Sequence, residues 1–171
     1  MDTQLFLLIH GLAGRLPFVD ILAVFFARYA IYFFAPLIVF SVWVGRKSFA
    51  GSILAVSIAF GVNQCIGALF FRTRPFITLQ LTPLIDGVSG KSFPSDHTAV
   101  SFALATVCAT VYPRWRVPAY GVAFLIAFAR IVVGVHYPGD SIAGIVVGVI
   151  SGRLAVDLLP RLLRFWKKKY G

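Results

Sequence analysis

Long apolar stretches run through most of this 171-residue chain, and they restrict what it can fold into. Hydrophobic residues make up 59% of the sequence and charged residues only 13%, which is more apolar surface than a soluble domain of this length could bury. A helix needs about 20 apolar residues to cross the hydrocarbon core. The pattern predicts an all-α membrane protein with a single domain and five spans, at about 29–45, 48–71, 97–112, 117–135 and 139–159.

The first 27 residues are apolar but repeatedly interrupted, by His10, Gly11, Gly14, Arg15, Pro17 and Asp20. We expect them to form short amphipathic helices that lie at the membrane interface, rather than a sixth span. A signal peptide is the alternative. Against it, the segment begins with Asp2 instead of basic residues, and no convincing cleavage site follows.

The basic residues predict the orientation of the spans. With five spans, one side of the membrane collects nine of the sixteen Lys and Arg: Arg46, Lys47, Arg114, Arg116, Arg161, Arg164, Lys167, Lys168 and Lys169. The positive-inside rule makes this side cytoplasmic, so residues 160–171 form a basic cytoplasmic tail and the N-terminus lies outside. The net charge of +10 is then explained by this basic tail, which attracts anionic lipid of the inner leaflet, rather than by binding of nucleic acid.

Ionisable residues, which are costly in lipid, concentrate in three clusters on the outer side. These are FFRTRPF with Arg72 and Arg74, FPSDHT with Ser95, Asp96 and His97, and ARIVVGVHYPGD with Arg130, His136 and Asp140. Each residue has a structural explanation when taken alone. Ser95 can cap a helix, Asp140 can complement a helix dipole, and Arg130 can extend to the interface.

The combination of residue types favours a phosphate site. His136 and Asp140 stand four apart, so the carboxylate can accept a hydrogen bond from one imidazole nitrogen and leave the other free to attack. Two histidines and an aspartate would also suit zinc, but three arginines would repel a dication and bind phosphate. Because a helix N-terminus also binds anions, the sequence predicts a site for a lipid phosphate, without a metal or another cofactor.

Three further features indicate packing rather than chemistry. Gly144, Gly148 and Gly152 stand four apart and favour close helix contact. Asn63 and Gln64 suit hydrogen bonds between helices. Cys65 and Cys108 are expected to be small buried thiols, since neither their spacing nor their position suggests a disulfide or a metal site.

Together, the three clusters resemble the signature of the type 2 phosphatidic acid phosphatase superfamily, which reads Lys-x6-Arg-Pro, Pro-Ser-Gly-His and Ser-Arg-x5-His-x3-Asp. The matching residues, in order, are Arg74 and Pro75, then Pro94 to His97, then Arg130, His136 and Asp140. The chain departs from the signature at Gly67, where the lysine would stand, at Asp96 and at Ala129. Arg72 is the candidate to replace the missing lysine.

The FPSDHT variant, the missing lysine and the opening IHGLAGRLPFVD are similar to the bacterial branch associated with bacitracin resistance. Members of that branch are undecaprenyl-diphosphate phosphatases. The resemblance implies an enzyme of the bacterial plasma membrane with its active site on the extracytoplasmic side. It would convert the diphosphate of the C55 carrier lipid to the monophosphate, for reuse in peptidoglycan synthesis.

The resemblance also implies a role for each site residue. His136 is the nucleophile and forms a phosphohistidine, Asp140 orients it, and His97 protonates the leaving group. The expected phosphate-binding residues are Arg74, Arg130, Ser95, Asp96 and Arg72, and no metal is required. Two alternatives stay open: hydrolysis of another lipid phosphate, such as phosphatidylglycerophosphate, phosphatidate or a sphingoid phosphate, and a permease subunit that binds a phospholipid head group without hydrolysing it.

The predicted orientation can be tested by labelling, in a background in which Cys65 and Cys108 are replaced by serine. A cysteine introduced beside Lys91 should react with a membrane-impermeant thiol reagent in intact cells. A cysteine beside Lys168 should react only after the cells are permeabilised. The opposite pattern would invert the topology and move the site to the cytoplasmic side.

Overall fold

The computed structural model describes residues 1–35, 46–86 and 88–170, with the backbone alone described for 46–48 and 161–170. Within these ranges seven α-helices occur: α1 (Asp2–His10), α2 (Pro17–Arg28), α3 (Arg46–Leu69), α4 (Pro75–Thr78), α5 (Asp96–Val111), α6 (Arg116–Val132) and α7 (Pro138–Tyr170). Short 3-10 turns cover Ala30–Phe33 and Pro113–Trp115, and these ranges contain no strand. The predicted all-α class is confirmed.

Four long helices, α3, α5, α6 and α7, form a bundle in which α5 contacts the other three. Eleven of the 16 residues of α5 are buried, in a run that extends from Thr98 to Ala109 and leaves out only Val100. A helix that is apolar on all sides is expected to be surrounded by protein. The helix that begins with the FPSDHT cluster is therefore the central one.

Small residues allow the close contact between α5 and α7. A Cβ on Gly148 would overlap the carbonyl oxygen of Ala99 and lie 2.7 Å from the Cβ of Phe102. A Cβ on Gly152 would lie 2.6 Å from the Cβ of Thr106. The prediction that these glycines serve helix packing is confirmed.

Three helices of the described ranges are long and apolar enough to cross a membrane: Phe49–Leu69, Pro113–Val132 and Pro138–Pro160. Helix α5 is a shorter apolar helix of 16 residues, about 24 Å long at 1.5 Å per residue. These four helices correspond to four of the predicted spans. The remaining prediction, 29–45, covers the turn Ala30–Phe33 and then lies outside the described residues after position 35.

The predicted end of the last span at 159 agrees with the structure, where the apolar segment of α7 ends at Pro160. The helix itself continues through the basic tail to Tyr170. Cys108 is buried as predicted, but the prediction for Cys65 is wrong, since it lies on the exposed face of α3. Both thiols are free.

The N-terminal segment forms two short helices of 9 and 12 residues. Helix α2 packs against α6, and α1 contacts α6 and α7. The His10 Nδ1–H donates to the Val132 carbonyl oxygen at 2.8 Å, and the Gly139 N–H donates to the Asp2 carboxylate at 2.9 Å. The segment therefore packs on the bundle end where α6 finishes and α7 begins, and its place at the membrane interface stays a prediction.

The three polar clusters meet at this same end of the bundle. Helix α3 finishes there, α5 begins there, and the loop of residues 133–137 joins α6 to α7. Residues 70–95, which carry Arg72 and Arg74 and include α4, connect α3 to α5 across it. The antiparallel order of the helices thus brings distant parts of the sequence together.

Candidate active site

A cavity of about 480 Å³ lies at this end of the bundle. Its wall is formed by Arg28, Phe60, Arg74, Ile85, Asp86, Val88, Ser89, Asp96, His97, Arg130 and His136. Both predicted catalytic histidines and two of the three predicted arginines therefore face one space. Three guanidinium groups line it, against two carboxylates.

The His136 side chain is fully buried, and its two ring nitrogens have different partners. Nδ1 lies 2.9 Å from the carbonyl oxygen of Ser92, and Nε2 lies 3.3 Å from Nη1 of Arg74. A carbonyl can only accept and a guanidinium can only donate, so Nδ1 carries the proton and Nε2 carries the lone pair. Burial lowers the pKa of His136 to about 4, and the nearby Asp140 only partly offsets this. The imidazole is therefore neutral at neutral pH, with its lone pair on the nitrogen beside Arg74.

The loop that presents His136 is held by the backbone of α6. The backbone N–H groups of Val135 and His136 both donate to the carbonyl oxygen of Arg130, at 3.2 and 3.3 Å. Gly134 adopts a φ of 89°, in the left-handed region that glycine enters without strain. The turn thus places Arg130 and His136 side by side in the cavity wall.

Arg74 and Arg130 are both buried, with 6% and 4% of their surface exposed. Arg74 donates to the carbonyl oxygens of Val135 and Ser89, both at 3.1 Å, and Arg130 donates to that of Ala27 at 3.0 Å. The Nε–H of each arginine has no acceptor among the described residues. Both guanidinium groups line the cavity, and neither makes a salt bridge among the described residues, so their uncompensated positive charge indicates a place for an anion.

Asp140 lies behind His136 and is completely buried. Its carboxylate accepts hydrogen bonds from the Arg72 guanidinium at 2.9 Å, from the Tyr137 N–H at 2.8 Å and from the Ser92 hydroxyl. Its Oδ2 lies 3.6 Å from Nδ1 of His136, which is too long for a hydrogen bond. The sequence predicted that Asp140 fixes the imidazole tautomer, whereas in this structure the Ser92 carbonyl oxygen does so and Asp140 supplies a nearby negative charge.

Arg72 lies behind the cavity and does not line it. Its Nη1 bridges Asp140 at 2.9 Å and Asp2 of α1 at 2.7 Å, and its guanidinium stacks over the Tyr137 ring at 3.7 Å. Burial acts to lower the pKa of Arg72, but the bond to Asp2 and the charges of Asp140 and Asp2 outweigh it and raise that pKa. Arg72, which the sequence assigned to phosphate binding, thus contacts the carboxylate behind His136.

The start of α5 supplies Ser95, Asp96 and His97. The Ser95 side chain caps the helix by accepting from the Thr98 N–H, and the Ser95 N–H donates to the Asp140 carbonyl oxygen at 3.1 Å. Ser95 is buried and does not line the cavity, so it joins α5 to α7. Asp96 and His97 both line the cavity.

Asp96 is surrounded by donors. Its Oδ1 accepts from Nζ of Lys91 at 2.9 Å, from Nε2 of Gln64 at 3.2 Å and from Nδ2 of Asn63. Asn63 also donates to the Pro94 carbonyl oxygen at 3.1 Å. The prediction that Asn63 and Gln64 make hydrogen bonds between helices is confirmed, since both lie on α3 and hold the start of α5.

Sequence reasoning missed several residues of the site. Arg28 was not among the predicted site residues, but it lines the cavity from the end of α2. Ser92 and Lys91 lie in an irregular loop, where no periodic pattern indicates which way a side chain points. The one available signal was the polar stretch SGKS before the FPSDHT cluster. Among the described residues, no group of three or more His, Cys, Asp or Glu is placed to hold a metal ion.

The contact between Arg72 and Asp140 leads to a stability prediction. Arg72→Met should destabilise the purified protein by about 1–3 kcal/mol, because it leaves a buried carboxylate without its cation. Arg72→Met combined with Asp140→Asn should recover part of that loss, because the uncompensated charge is gone. Thermal unfolding in detergent measures both, with Arg114→Met, at an exposed arginine, as the control. Strictly additive losses would show that the two side chains are not coupled.

Known proteins are similar to this chain over much of its length. The model of the PAP2 superfamily matches residues 47–164. Undecaprenyl-diphosphatase BcrC of Bacillus subtilis is 33% identical over 161 residues, which cover 90% of this chain and 82% of the relative. A lipid A 1-phosphatase of Rhizobium etli is 31% identical over 111 residues, covering 62% of this chain and 46% of the relative.

A solved structure shows the same architecture. The crystal structure of Aquifex aeolicus LpxE superposes with a TM-score of 0.80 at 30% sequence identity, and the match covers 91% of this chain and 94% of the other. The predicted fold is thereby confirmed. The family match extends over most of the sequence, and the structure is a helical membrane bundle with the signature residues around one cavity. The chain therefore belongs to the PAP2 superfamily.

Proposed function

We propose that this membrane lipid phosphatase hydrolyses undecaprenyl diphosphate to undecaprenyl phosphate and inorganic phosphate, on the extracytoplasmic side of the bacterial plasma membrane. One observation carries the chemistry. The neutral His136 lines the same cavity as two buried arginines, Arg74 and Arg130, and neither guanidinium group makes a salt bridge among the described residues. A nucleophile beside anion-binding donors suits phosphoryl transfer.

The reaction follows from this placement. Nε2 of His136 attacks the terminal phosphorus, and the bond from phosphorus to the bridging oxygen breaks. The lipid monophosphate leaves with its electron pair on that oxygen, which takes a proton from the imidazolium form of His97, a form that the charge of the bound diphosphate favours. Water then attacks the phosphohistidine and gives a proton to the now neutral His97, the N–P bond breaks with its electron pair returning to Nε2 of His136, and inorganic phosphate is released. Arg74, Arg130 and the N–H groups at the start of α5 balance the charge of the transferred group, as phosphoryl transfer requires.

The groups behind His136 support the attack. As Nε2 forms its bond to phosphorus, the ring becomes a cation that keeps its proton on Nδ1. The Ser92 carbonyl oxygen at 2.9 Å and the Asp140 carboxylate at 3.6 Å lie beside that nitrogen. A nearby carboxylate stabilises such an imidazolium without taking the proton itself. Arg72 keeps this carboxylate ionised, and Asp2 holds Arg72 in place through a second salt bridge.

Three features support a polyprenyl diphosphate as the substrate. The first is the relative named undecaprenyl-diphosphatase, which is aligned over 90% of the chain. The second is Arg28, a third arginine in the cavity wall, which can hold the phosphate that stays on the lipid. The third is the apolar part of the wall, Phe60, Ile85 and Val88, where the first isoprene units can pack. The similarity to a lipid A 1-phosphatase makes lipid A the second candidate.

A panel of lipids tests the substrate. Purified protein in detergent should release phosphate from undecaprenyl diphosphate faster than from lipid A, phosphatidylglycerophosphate or phosphatidate, with or without excess chelator. Arg28→Met should lower kcat/KM about tenfold for the diphosphate and much less for monophosphates, because it removes a contact to the retained phosphate. Arg15→Met, at an exposed arginine of the same segment, is the control.

Several results would contradict this proposal. A preferred monophosphate substrate, or an equal loss for both classes in Arg28→Met, would overturn the diphosphate assignment but leave lipid phosphatase activity. Loss of activity on chelation and its return with zinc or magnesium would require His and Asp to be reinterpreted as metal ligands. Release of phosphate from none of the lipids would favour a binding or transport protein.

The roles of the histidines can be separated by trapping the intermediate. His136→Ala should abolish turnover and form no acid-labile phosphoenzyme in rapid-quench experiments. His97→Ala should lose about 10²–10⁴-fold with the lipid, and less with p-nitrophenyl phosphate, if the enzyme accepts it, because a good leaving group needs little protonation. His10→Ala, at the histidine outside the cavity wall, should still form the phosphoenzyme. Phosphate on His97, or full turnover by His136→Ala, would reverse the assignment.

A further inference from the structure

Lys91 occupies the space that a side chain at position 67 would need. Gly67 lies on the buried face of α3. A Cβ built on it would overlap Cδ of Lys91 and lie 2.6 Å from its Cε and 3.0 Å from the Phe93 carbonyl oxygen. The aliphatic part of Lys91 therefore packs directly on the Gly67 backbone. Only glycine leaves room for it.

The Lys91 ammonium group reaches the start of α5. Its Nζ donates to the Pro94 carbonyl oxygen at 3.1 Å and to Asp96 Oδ1 at 2.9 Å, with only 11% of the side chain exposed. A long, flexible side chain is costly to order in this way. Its position between α3 and the first residue of α5 indicates a specific electrostatic role.

The carboxylate of Asp96, which the sequence assigned to phosphate binding, poses a problem for an anion site because it is itself negative. Asp96 lines the same cavity as His97, Arg74 and Arg130, and a phosphate there would be repelled by it. Asn63 and Gln64 satisfy its hydrogen bonds but carry no charge. Among the described residues, Lys91 makes the one salt bridge to Asp96. Arg72, the other candidate cation of this region, pairs with Asp2 and Asp140 instead.

We propose that Lys91 is a positioning residue for phosphate binding, which neutralises Asp96 at the cavity wall and holds the start of α5 in place. It brings its positive charge from the loop before α5 into the space beside position 67, where the family signature has a lysine on α3. Gly67 and Lys91 thus form a matched pair. This inference rests on the proposed function, since it concerns how the cavity accepts an anionic head group.

Removal of the charge alone should weaken substrate binding. Lys91→Met keeps an aliphatic chain on Gly67 and leaves Asp96 unpaired, so KM for the lipid substrate should rise roughly tenfold with a smaller change in kcat. The rise should be larger at low ionic strength, where repulsion is less screened. Adding Asp96→Asn should return KM to near that of Asp96→Asn alone, because the repelling charge has gone.

Two controls separate this effect from loss of folding. Arg153→Met, with and without Asp157→Asn, removes an exposed ion pair of α7 and should leave KM unchanged. Thermal unfolding in detergent shows whether each variant is folded. If KM is unchanged in Lys91→Met, or rises and is not restored by Asp96→Asn, the proposed electrostatic role is wrong.

Moving the lysine tests the spatial argument. Gly67→Lys alone should lose activity, because two side chains compete for one space. Gly67→Lys with Lys91→Ala should recover much of that activity, because the charge again lies beside α5. A double variant no better than either single variant would overturn the claim that the two positions share one space.

A binding measurement keeps this inference distinct from the proposed function. If the wild type releases phosphate from none of the lipids, the proposed function fails. The rise in melting temperature that inorganic phosphate or orthovanadate causes then tests Lys91. We expect that rise to shrink in Lys91→Met and to return with Asp96→Asn, and an unchanged rise in Lys91→Met would overturn the inference.

Discussion

The buried carboxylate of Asp140 is the constraint on which the rest of this site depends. A charge with no exposed surface is costly unless donors surround it. Its donors come from three places: Arg72 after α3, the Ser92 hydroxyl before α5, and the Tyr137 N–H before α7. The salt bridge and the hydrogen bonds to this one carboxylate therefore fix the relative positions of three segments that are far apart in sequence. His136, four residues before Asp140, is placed by the same contacts.

Because of this constraint, the arginines of the site make two different kinds of contact. Arg72 is committed to Asp140 and Asp2, so it compensates protein charge. Arg74 and Arg130 bond mainly to backbone carbonyl oxygens, which use some of their donors without cancelling their charge. Their positive charge therefore remains available to a ligand. In the proposed function, the same residue type thus supports the nucleophile in one place and attracts the anion in another.

The sequence alone predicted the parts of this protein that follow from the periodicity of apolar residues and from the order of motifs along the chain. Runs of apolar residues predicted four helices at nearly their observed positions. The spacing of Arg130, His136 and Asp140 predicted three residues that lie at the same end of the bundle. The failures share a physical cause, because contacts between parts of the chain that are far apart in sequence carry no periodic signal. The Ser92 carbonyl oxygen accepts a hydrogen bond from Nδ1–H of His136, and any residue could supply this backbone group. Arg28 reaches the cavity because α2 packs on α6, and Arg72 turns away from it because Asp2 lies behind.

Gly67 shows why a departure from a signature has to be interpreted in three dimensions. Judged by sequence position alone, glycine in place of the signature lysine means that α3 lacks a positive charge. In space, Lys91 brings an ammonium group to the same region from a loop 24 positions further along the chain. Phosphate binding depends on the field within the cavity, and that field depends on where charges lie rather than on which element carries them. In the proposed role of Lys91, the glycine is therefore the condition that admits the replacement charge, and that charge makes the Asp96 carboxylate tolerable beside a phosphate.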